Sequence, residues 1–253
     1  MAEGDTVLRE ARRIDAALAG EAIAVEAPNP RGRAAGIIEL DGRVLAGARA
    51  HGKNLLLDFG DLVLHSHLGM SGSWDVYRRG SRWRRPRRAA WAVLRGSGAE
   101  AVQWGGPKLR VLRSGQLRRD PLLARLGPDV LGPEFDPAAA GARIRAAAPE
   151  RELGDALLDQ GLVAGIGNIY KSEACFAAHV DPHRRIADLS AAELEGVLQA
   201  AAALMGAAAD DGRHPRAVYR RAGHPCPACG TALRSGGQGD DNRTTYWCPS
   251  CQS

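Results

Sequence analysis

The order of hydrophobic and polar residues predicts strands in the first half of the chain. Residues 5–19 repeat apolar side chains at the three- and four-residue spacing of an amphipathic helix. Short apolar runs separated by glycine, proline, asparagine and aspartate follow at 23–26, 37–40, 44–46, 55–59, 62–67, 91–95, 100–104 and 109–112. Short strands with turn residues between them favour a β-sandwich or barrel.

The pattern becomes helical from about residue 120. Asp120-Pro121 starts a short helical pattern, and Gly132-Pro133 and Asp136-Pro137 mark a linker. Further helices are predicted at 137–148, 153–160, 168–178 and 190–209. The tail is rich in arginine, glycine and cysteine, which suggests a hairpin held by metal. We therefore predict an α+β protein with three domains, at residues 1–132 (β-sandwich with flanking helices), 133–212 (helical) and 213–253 (metal ribbon).

Composition narrows the class of protein. Hydrophobic residues make up 45% and charged residues 25%, as in ordinary globular chains. The chain has neither an apolar stretch of membrane-spanning length nor a secretory signal, so we expect a cytoplasmic protein with no membrane partner. Net charge is +5, but arginine usage resembles high-GC coding bias, and only three of the 34 basic residues are lysines: Lys53, Lys108 and Lys171. Residues 78–88 hold seven arginines, and we expect them to form an exposed, solvated loop.

Four cysteines near the C-terminus carry the strongest local signal. Cys226 and Cys229 form one Cys-x-x-Cys knuckle, and Cys248 and Cys251 form a second after 18 residues. Two knuckles at this spacing supply the four thiolates of a closed, tetrahedral zinc site. We therefore predict one structural Zn²⁺, against the alternative of unligated thiols. Cys175 stands alone.

A glycine-rich turn at residues 165–170 lies between two predicted helices. Glycines in such a turn let backbone N–H groups approach a phosphate closely, and Asn168 offers a side-chain donor. An ordinary tight turn between packed helices is the alternative, and the turn alone does not decide between them.

Three further residue types are candidates for chemistry. Lys53 enters an apolar strand, where a lysine is usually a solvated rim residue. His65 and His67 alternate on the next strand; with no third ligand apparent, we favour packing or hydrogen bonding over metal binding. Met70 follows in a turn, where methionine is more often a core residue than an exposed side chain that inserts into a ligand.

Taken in order along the chain, these features resemble the formamidopyrimidine-DNA glycosylase/endonuclease VIII family of DNA base-excision enzymes. The N-terminal EGDTV and the YWCP-x-CQ ending are more similar to an actinobacterial endonuclease VIII-like branch, and HLGMSG to the formamidopyrimidine branch. The matching segments are Glu3-Gly4-Asp5, HGKNLLLDF at 51–59, HSHLGMSGSW at 65–74, RLGPDVL at 125–131, LLDQGLVAGIGNIYKSE at 157–173, and YRRAGHPCPACG with RTTYWCPSCQ near the end.

The resemblance implies a fold and an activity. The fold is an N-terminal β-sandwich catalytic domain, a helix-two-turn-helix DNA-binding domain and a C-terminal zinc ribbon. The activity is that of a bifunctional glycosylase and abasic-site (AP) lyase that flips and excises oxidised bases, with a preference for pyrimidines, from duplex DNA. The partner is double-stranded DNA with oxidised bases or abasic sites, and we expect a monomer associated with the bacterial nucleoid.

The resemblance also assigns roles to individual residues. The residue after Met1 attacks C1′ through its α-amine, Glu3 acts as general acid, Lys53 stabilises phosphate or donates a proton, and Arg243 assists elimination. DNA contacts fall to Asn168 and Arg125 on the backbone and to Met70, which fills the gap left by the flipped base. The family's Arg/Phe intercalating pair has no counterpart near residues 105–108.

One position departs from the family pattern. The family has proline after the initiator methionine, whereas this chain has Ala2. Alanine still presents a primary α-amine once Met1 is removed, but its imine must be protonated to act as an electron sink. The sequence therefore leaves two functions open: a glycosylase/lyase, or a protein that binds lesions or abasic sites with catalysis reduced or lost. A zinc-ribbon transcription or RNA factor would leave the N-terminal motifs unexplained.

Overall fold

The computed structural model describes residues 2–253; Met1, whose removal the family resemblance leads us to expect, lies outside the described residues. The chain divides into two compact units, the first ending at Ala124 and the second beginning at Arg125. Each unit has its own hydrophobic core. No helix among the described residues combines the length and apolar character needed to cross a lipid bilayer.

The first unit begins with the predicted amphipathic helix, α1, at Gly4–Leu18. Its buried face carries Val7, Ala11, Ile14 and Leu18, which recur at helical spacing and pack into the core of this unit. Because the helix starts at Gly4, the chain is still extended at Glu3. The two residues before the helix are thereby held against the same unit.

Two four-stranded antiparallel sheets form the sandwich that the sequence predicted. The first sheet has the order β2-β3-β4-β8 and the second β1-β6-β7-β5. Leucines of the first sheet and Trp74 of the second belong to one core, so the sheets pack face to face. The strands are β1 Ala24–Glu26, β2 Gly47–His51, β3 Asn54–Asp58, β4 Leu62–His67, β5 Ser73–Arg78, β6 Ala92–Arg95, β7 Ala99–Trp104 and β8 Lys108–Arg113.

Two of the predicted short apolar runs and one predicted helix differ from the structure. Residues Ile37–Leu40 form a 3₁₀ helix entered through Gly36, whose φ of 75° is left-handed. Val44 makes only a single bridge, to Ala22. The segment after Asp120 forms turns rather than a helix. The Asp120 carboxylate accepts two successive backbone N–H groups, as a helix cap does, and Ala124 donates to the Asp120 carbonyl at 2.8 Å, but the chain does not continue as a helix beyond this turn.

A half-buried carboxyl group on α1 gives the first unit a pH-dependent stability. Glu10 accepts the backbone N–H of Trp74 at 2.9 Å, and burial raises its pKa to about 7. A pKa above the unfolded value means that folding favours the protonated form. The stabilisation is therefore complete below about pH 4.5 and is lost as pH rises through 7.

Replacing this carboxyl by an amide should flatten that dependence. Glu10→Gln keeps the oxygen acceptor for Trp74 but cannot ionise. Between pH 4.5 and 8 the wild-type protein should lose up to about 3 kcal/mol more unfolding free energy than the variant. Urea unfolding at both pH values measures the difference, and parallel losses in the two proteins would show that Glu10 does not titrate as described.

The second unit contains the predicted helices around one core. Asp136 caps α3, and Ser190 and Glu193 form a capping box on α6, so both start where the sequence predicts. A hairpin follows them, with β9 at Arg234–Gln238 paired antiparallel to β10 at Arg243–Trp247. The helices are α3 Pro137–Ala147, α4 Leu153–Leu158, α5 Asn168–Ala177 and α6 Ala191–Asp211, and α2, in the first unit, is Pro30–Ala34.

The hairpin packs against α5 inside the second unit. Phe176 of α5 contacts the small cluster of Val218, Cys226, Leu233 and Cys248, and Tyr246 of β10 contacts both this cluster and the helical core. The division of this unit into a helical domain at 133–212 and a ribbon at 213–253 stays a prediction, as does the boundary at residue 132.

Candidate active site

The nitrogen of Ala2 is fixed by the turn that follows β4. It donates a hydrogen bond to the Gly69 carbonyl at 3.1 Å. Gly69 has a φ of +58°, and a Cβ at this position would meet the Pro107 ring at 2.8 Å, so only glycine allows this turn. The turn therefore acts as a template that holds the second residue of the chain in one place.

Glu3 and Met70 each follow one partner of this contact in the chain: Glu3 comes after Ala2, and Met70 comes after Gly69. Glu3 is fully buried and stands in extended conformation immediately before α1, where the helix dipole favours a negative charge. Met70 is 74% exposed, which excludes the core role considered from the sequence. The first unit thus places a buried carboxyl group and an exposed apolar side chain next in the chain to the two residues of the Ala2–Gly69 contact.

Lys53 occupies the tight turn between β2 and β3 and is half-buried. A chain of hydrogen bonds holds the base of this hairpin. Asn54 donates to the His51 carbonyl at 3.3 Å and accepts from His65 Nε2 at 2.9 Å, and Arg110 donates to His65 Nδ1 at 3.2 Å. Arg110 also pairs with Asp120 at 2.8 Å.

The protonation state of His65 follows from these partners. Burial, with the charges of Arg110 and Lys108, lowers its pKa to about 4, so the ring is neutral at pH 7. Because Nδ1 accepts from Arg110, the proton sits on Nε2 and is donated to Asn54. His65 is a hydrogen-bonded positioning residue for the Lys53 hairpin, as the sequence favoured.

Lys108 is a residue of this site that sequence reasoning did not assign. His67 pairs in register with Asn54 on one side and with Lys108 on the other. Burial and the positive charges of Lys53 and Lys108 lower the pKa of His67. Two of the chain's three lysines therefore act on one histidine, and the scarcity of lysine was the signal that could have found this cluster.

The residues of the second unit that are predicted to contact phosphate have different surroundings. Asn168 is the first residue of α5, and its amide donates to the Thr244 carbonyl at 2.7 Å, which joins it to the strand that carries Arg243. Arg243 is exposed and lies 3.6 Å from Asp241, and Arg125 is exposed. The structure brings Asn168 and Arg243 together, with one amide hydrogen of Asn168 already engaged.

Buried polar groups hold the C-terminal hairpin to α5. Lys171 is fully buried and donates to the Thr245 hydroxyl at 2.7 Å, and Thr245 donates to Gln238 at 2.6 Å. Glu173 accepts the backbone N–H groups of three consecutive residues, Ala217, Val218 and Tyr219, at 2.7 to 3.0 Å. Sequence reasoning did not single out Lys171 or Glu173 for these roles.

Removing the Glu173 carboxylate should destabilise the second unit strongly. Glu173→Ala leaves three backbone donors without their acceptor, at about 1–3 kcal/mol for each buried group, so we expect a loss of about 3–5 kcal/mol. Glu173→Gln keeps one carbonyl oxygen and should cost clearly less. Urea unfolding measures both variants, and equal losses below about 1 kcal/mol would contradict this role.

The four cysteines of the two knuckles converge as predicted. Their sulfur atoms all lie within 4.8 Å of one another, with Cys226 and Cys251 at 3.8 Å and Cys229 and Cys248 at 3.5 Å. Tetrahedral zinc with Zn–S bonds of about 2.3 Å places its thiolates roughly 3.8 Å apart, so the donor set fits that ion. Cys175 lies elsewhere, and burial raises its pKa to about 12.

Comparison with known proteins gives consistent matches over the whole chain. Residues 1–103 match the formamidopyrimidine-DNA glycosylase N-terminal domain, and residues 126–216 match the formamidopyrimidine-DNA glycosylase H2TH domain. A probable endonuclease 8 2 of Streptomyces coelicolor is 40% identical, covering 100% of this chain and 94% of the relative. The DNA-(apurinic or apyrimidinic site) lyase Nei2 of Mycolicibacterium smegmatis is 35% identical, covering 100% and 99%.

Solved structures agree with these matches. The MutM (Fpg) protein of Thermus thermophilus has a TM-score of 0.79 and 29% identity, covering 99% of this chain and 98% of that one. The Lactococcus lactis Fpg in complex with abasic-site DNA has a TM-score of 0.83 over 100% of both chains; at 22% identity it supports the fold.

Proposed function

We propose a function for this chain from its kinship: it belongs to the formamidopyrimidine-DNA glycosylase family, which includes the endonuclease 8 enzymes. The chain is a DNA glycosylase and AP lyase of base excision repair. The observation that carries the mechanism is the hydrogen bond between the Ala2 nitrogen and the Gly69 carbonyl, beside the buried Glu3.

Ala2 is the nucleophile of the proposed mechanism. After removal of Met1, its α-amine attacks C1′ of the flipped nucleotide, the base leaves, and a Schiff base joins the enzyme to the sugar. An α-amine has a reference pKa of about 7.7–8.0, so an appreciable part is unprotonated at neutral pH. The Gly69 carbonyl accepts one N–H and so orients the remaining lone pair of the nitrogen.

Acidic and basic side chains take the other catalytic roles. Glu3 donates a proton as the sugar opens and the base is released. Lys53, with Lys108 nearby, stabilises the phosphates as strand cleavage proceeds, and the depressed pKa of His67 keeps that ring neutral between them. Arg243 assists elimination of the second phosphate.

DNA contacts complete the proposal. Met70, exposed on its turn, fills the space vacated by the flipped base, and Arg125 and Asn168 contact the phosphate backbone. The substrates we propose are oxidised bases, pyrimidines first, and abasic sites in duplex DNA. Such a substrate is chromosomal, so we propose that the protein acts as a monomer on the nucleoid in the cytoplasm.

We propose that the four cysteines hold one structural Zn²⁺. Four thiolates fill a tetrahedral coordination sphere and leave no open position for water, so the metal rigidifies the hairpin that carries Arg243 and supplies no chemistry of its own. The fit rests on the sulfur separations of the cluster.

A second candidate function, favoured only by Ala2, is binding of lesions or abasic sites with catalysis reduced or lost. Borohydride trapping on an abasic duplex, with mass spectrometry of the N-terminus, separates the two candidates. A covalent adduct on the Ala2 nitrogen supports the lyase. Intact binding without an adduct, in protein that has lost Met1, supports the binding protein instead.

A further inference from the structure

The arginine-rich loop after β5 is anchored to the second sheet. One face of that sheet packs on the main core, and the other carries a separate small cluster of Val93, Val102 and Trp104 beneath the loop. Trp83 is the anchor. It meets Trp104 edge-on at 5.7 Å, stacks near Tyr77 at 6.3 Å, and donates to Glu100 at 2.6 Å. The loop is exposed, as the sequence predicted, except at Trp83, which ties it to the sheet.

A cavity of about 600 Å³ opens between this loop and the sheet. We call it the arginine pocket. Its lining is dominated by guanidinium groups around one aromatic wall, with a single carboxylate at its side: Arg79, Arg85, Arg87, Arg95, Trp83 and Glu100.

The charges of the pocket are only partly compensated. Arg87 and Arg95 share Glu26, and Arg95 also binds Glu100 at 3.0 Å. Within residues 2–253, Arg79 and Arg85 have no ion pair with a carboxylate. Arg79 instead donates to the Gly96 carbonyl at 3.2 Å, which fixes its side chain and leaves its charge in place.

The geometry of the guanidinium groups suits phosphate. Arg85 lies 5.8 Å from the ring centre of Trp104, and Arg87 lies 5.9 Å from that of Trp83. An arginine over an aromatic face can keep its N–H edge available for a bidentate contact with phosphate oxygens. Arg85 is in this position, whereas Arg87 already donates one N–H group to Glu26. The stacking also limits the side-chain freedom that binding would otherwise have to restrict.

The pocket is separated from the proposed active site by the length of a strand. The Met70 turn leads into Ser73 at the start of β5, whereas Arg79 follows the last residue, Arg78. At about 3.3 Å per residue, the two ends of this strand are roughly 17 Å apart. The Arg79 backbone pairs with Gly98 in the β6–β7 turn, at the end of the sheet away from residues 105–108.

We propose that the arginine pocket is a second DNA-binding site, which holds the phosphodiester backbone of a duplex segment other than the one at the active site. A protein with two such sites can contact two DNA segments at once. This inference does not depend on catalysis by the first site.

The test counts bound duplexes. Sedimentation velocity with an excess of an undamaged 12-bp duplex, at low salt, should find two duplexes per wild-type protein and one per Arg79→Gln/Arg85→Gln protein. The matched control is Arg118→Gln/Arg119→Gln, which removes two exposed arginines from another surface of the same unit and should still bind two. One duplex per wild-type protein, or equal stoichiometry in both variants, would overturn the proposal.

Hydrogen exchange shows where the second duplex binds and whether the ligand of the arginine pocket is DNA or a small polyphosphate. Residues 78–91 should gain protection with the duplex and lose that gain in the pocket variant. Protection by sodium triphosphate but not by duplex would replace DNA with a small polyphosphate ligand and overturn the proposal. Single-turnover cleavage of an abasic duplex should change less than twofold in the pocket variant. If no protein cleaves, the proposed catalytic function fails while the stoichiometry result stands.

Discussion

Replacing Ala2 with proline should raise strand cleavage at abasic sites, by a factor that grows as the pH rises. The Schiff base must carry positive charge on nitrogen to withdraw the electrons released when the sugar loses its proton. A proline iminium has no proton to lose and stays charged at every pH. The alanine imine is charged only when protonated, so its rate falls about tenfold for each pH unit above its own pKa.

The hydrogen bond to Gly69 determines the pH above which the alanine and proline proteins begin to differ in cleavage rate. In the protonated alanine imine, the nitrogen keeps one hydrogen, which the Gly69 carbonyl can accept at the 3.1 Å separation seen here. That hydrogen bond favours the charged form and so offsets part of the loss of proline. We therefore expect the native protein to cleave DNA at mildly acidic pH, with the proline variant gaining most of its advantage at alkaline pH.

The measurement is the single-turnover rate on an abasic duplex from pH 6 to 9, with borohydride trapping at each pH. Ala2→Gly is the matched control, since glycine also presents a primary amine and should reproduce the native profile. Mass spectrometry must find Met1 removed in all three proteins. Parallel profiles for the alanine and proline proteins would show that imine protonation does not limit cleavage.

Local sequence patterns were sufficient where an element buries a helical stripe or a continuous run of apolar residues. The helix α1 follows from the spacing of Val7, Ala11 and Ile14, and β3 from its run of leucines. The strand β2 has the sequence GARAH, whose small and polar residues give no apolar signal; its pairing with β3 forms it. The 3₁₀ helix at Ile37–Leu40 is as apolar as a strand, and composition alone does not separate the two.

The site shows the same division between local and long-range information. Glu3, Lys53 and Met70 became candidates because they lie in short motifs that resemble those of the family. Lys108 was missed as a partner of His67, because the register of β4 against β8 joins residues distant in sequence. Trp83 was missed for a related reason: its partners lie on β5 and β7, and only the folded sheet presents them together.

Removing the metal we propose for the cysteine cluster should strongly weaken DNA binding at the proposed active site without unfolding the first unit. The hairpin encloses only a small cluster of buried side chains, so its folding depends on the metal. Structural zinc contributes about 10–16 kcal/mol of apparent binding free energy in small zinc peptides. Loss of the metal therefore releases β10 from α5 and, with it, the positions of Arg243 and of Thr244, which anchors Asn168.

We expect Cys229→Ser, or treatment with a chelator, to weaken binding of an abasic-site duplex by at least about 100-fold, equivalent to about 2.8 kcal/mol. Cys175→Ala is the matched control, because this cysteine is buried in the helical core and takes no part in the cluster. It should keep both its metal and its affinity. Fluorescence anisotropy measures binding, metal analysis measures zinc content, and circular dichroism follows the β-sandwich. A chelated protein that still binds the duplex at full strength would show that the hairpin holds its shape without metal, and that Arg243 and Asn168 do not depend on it.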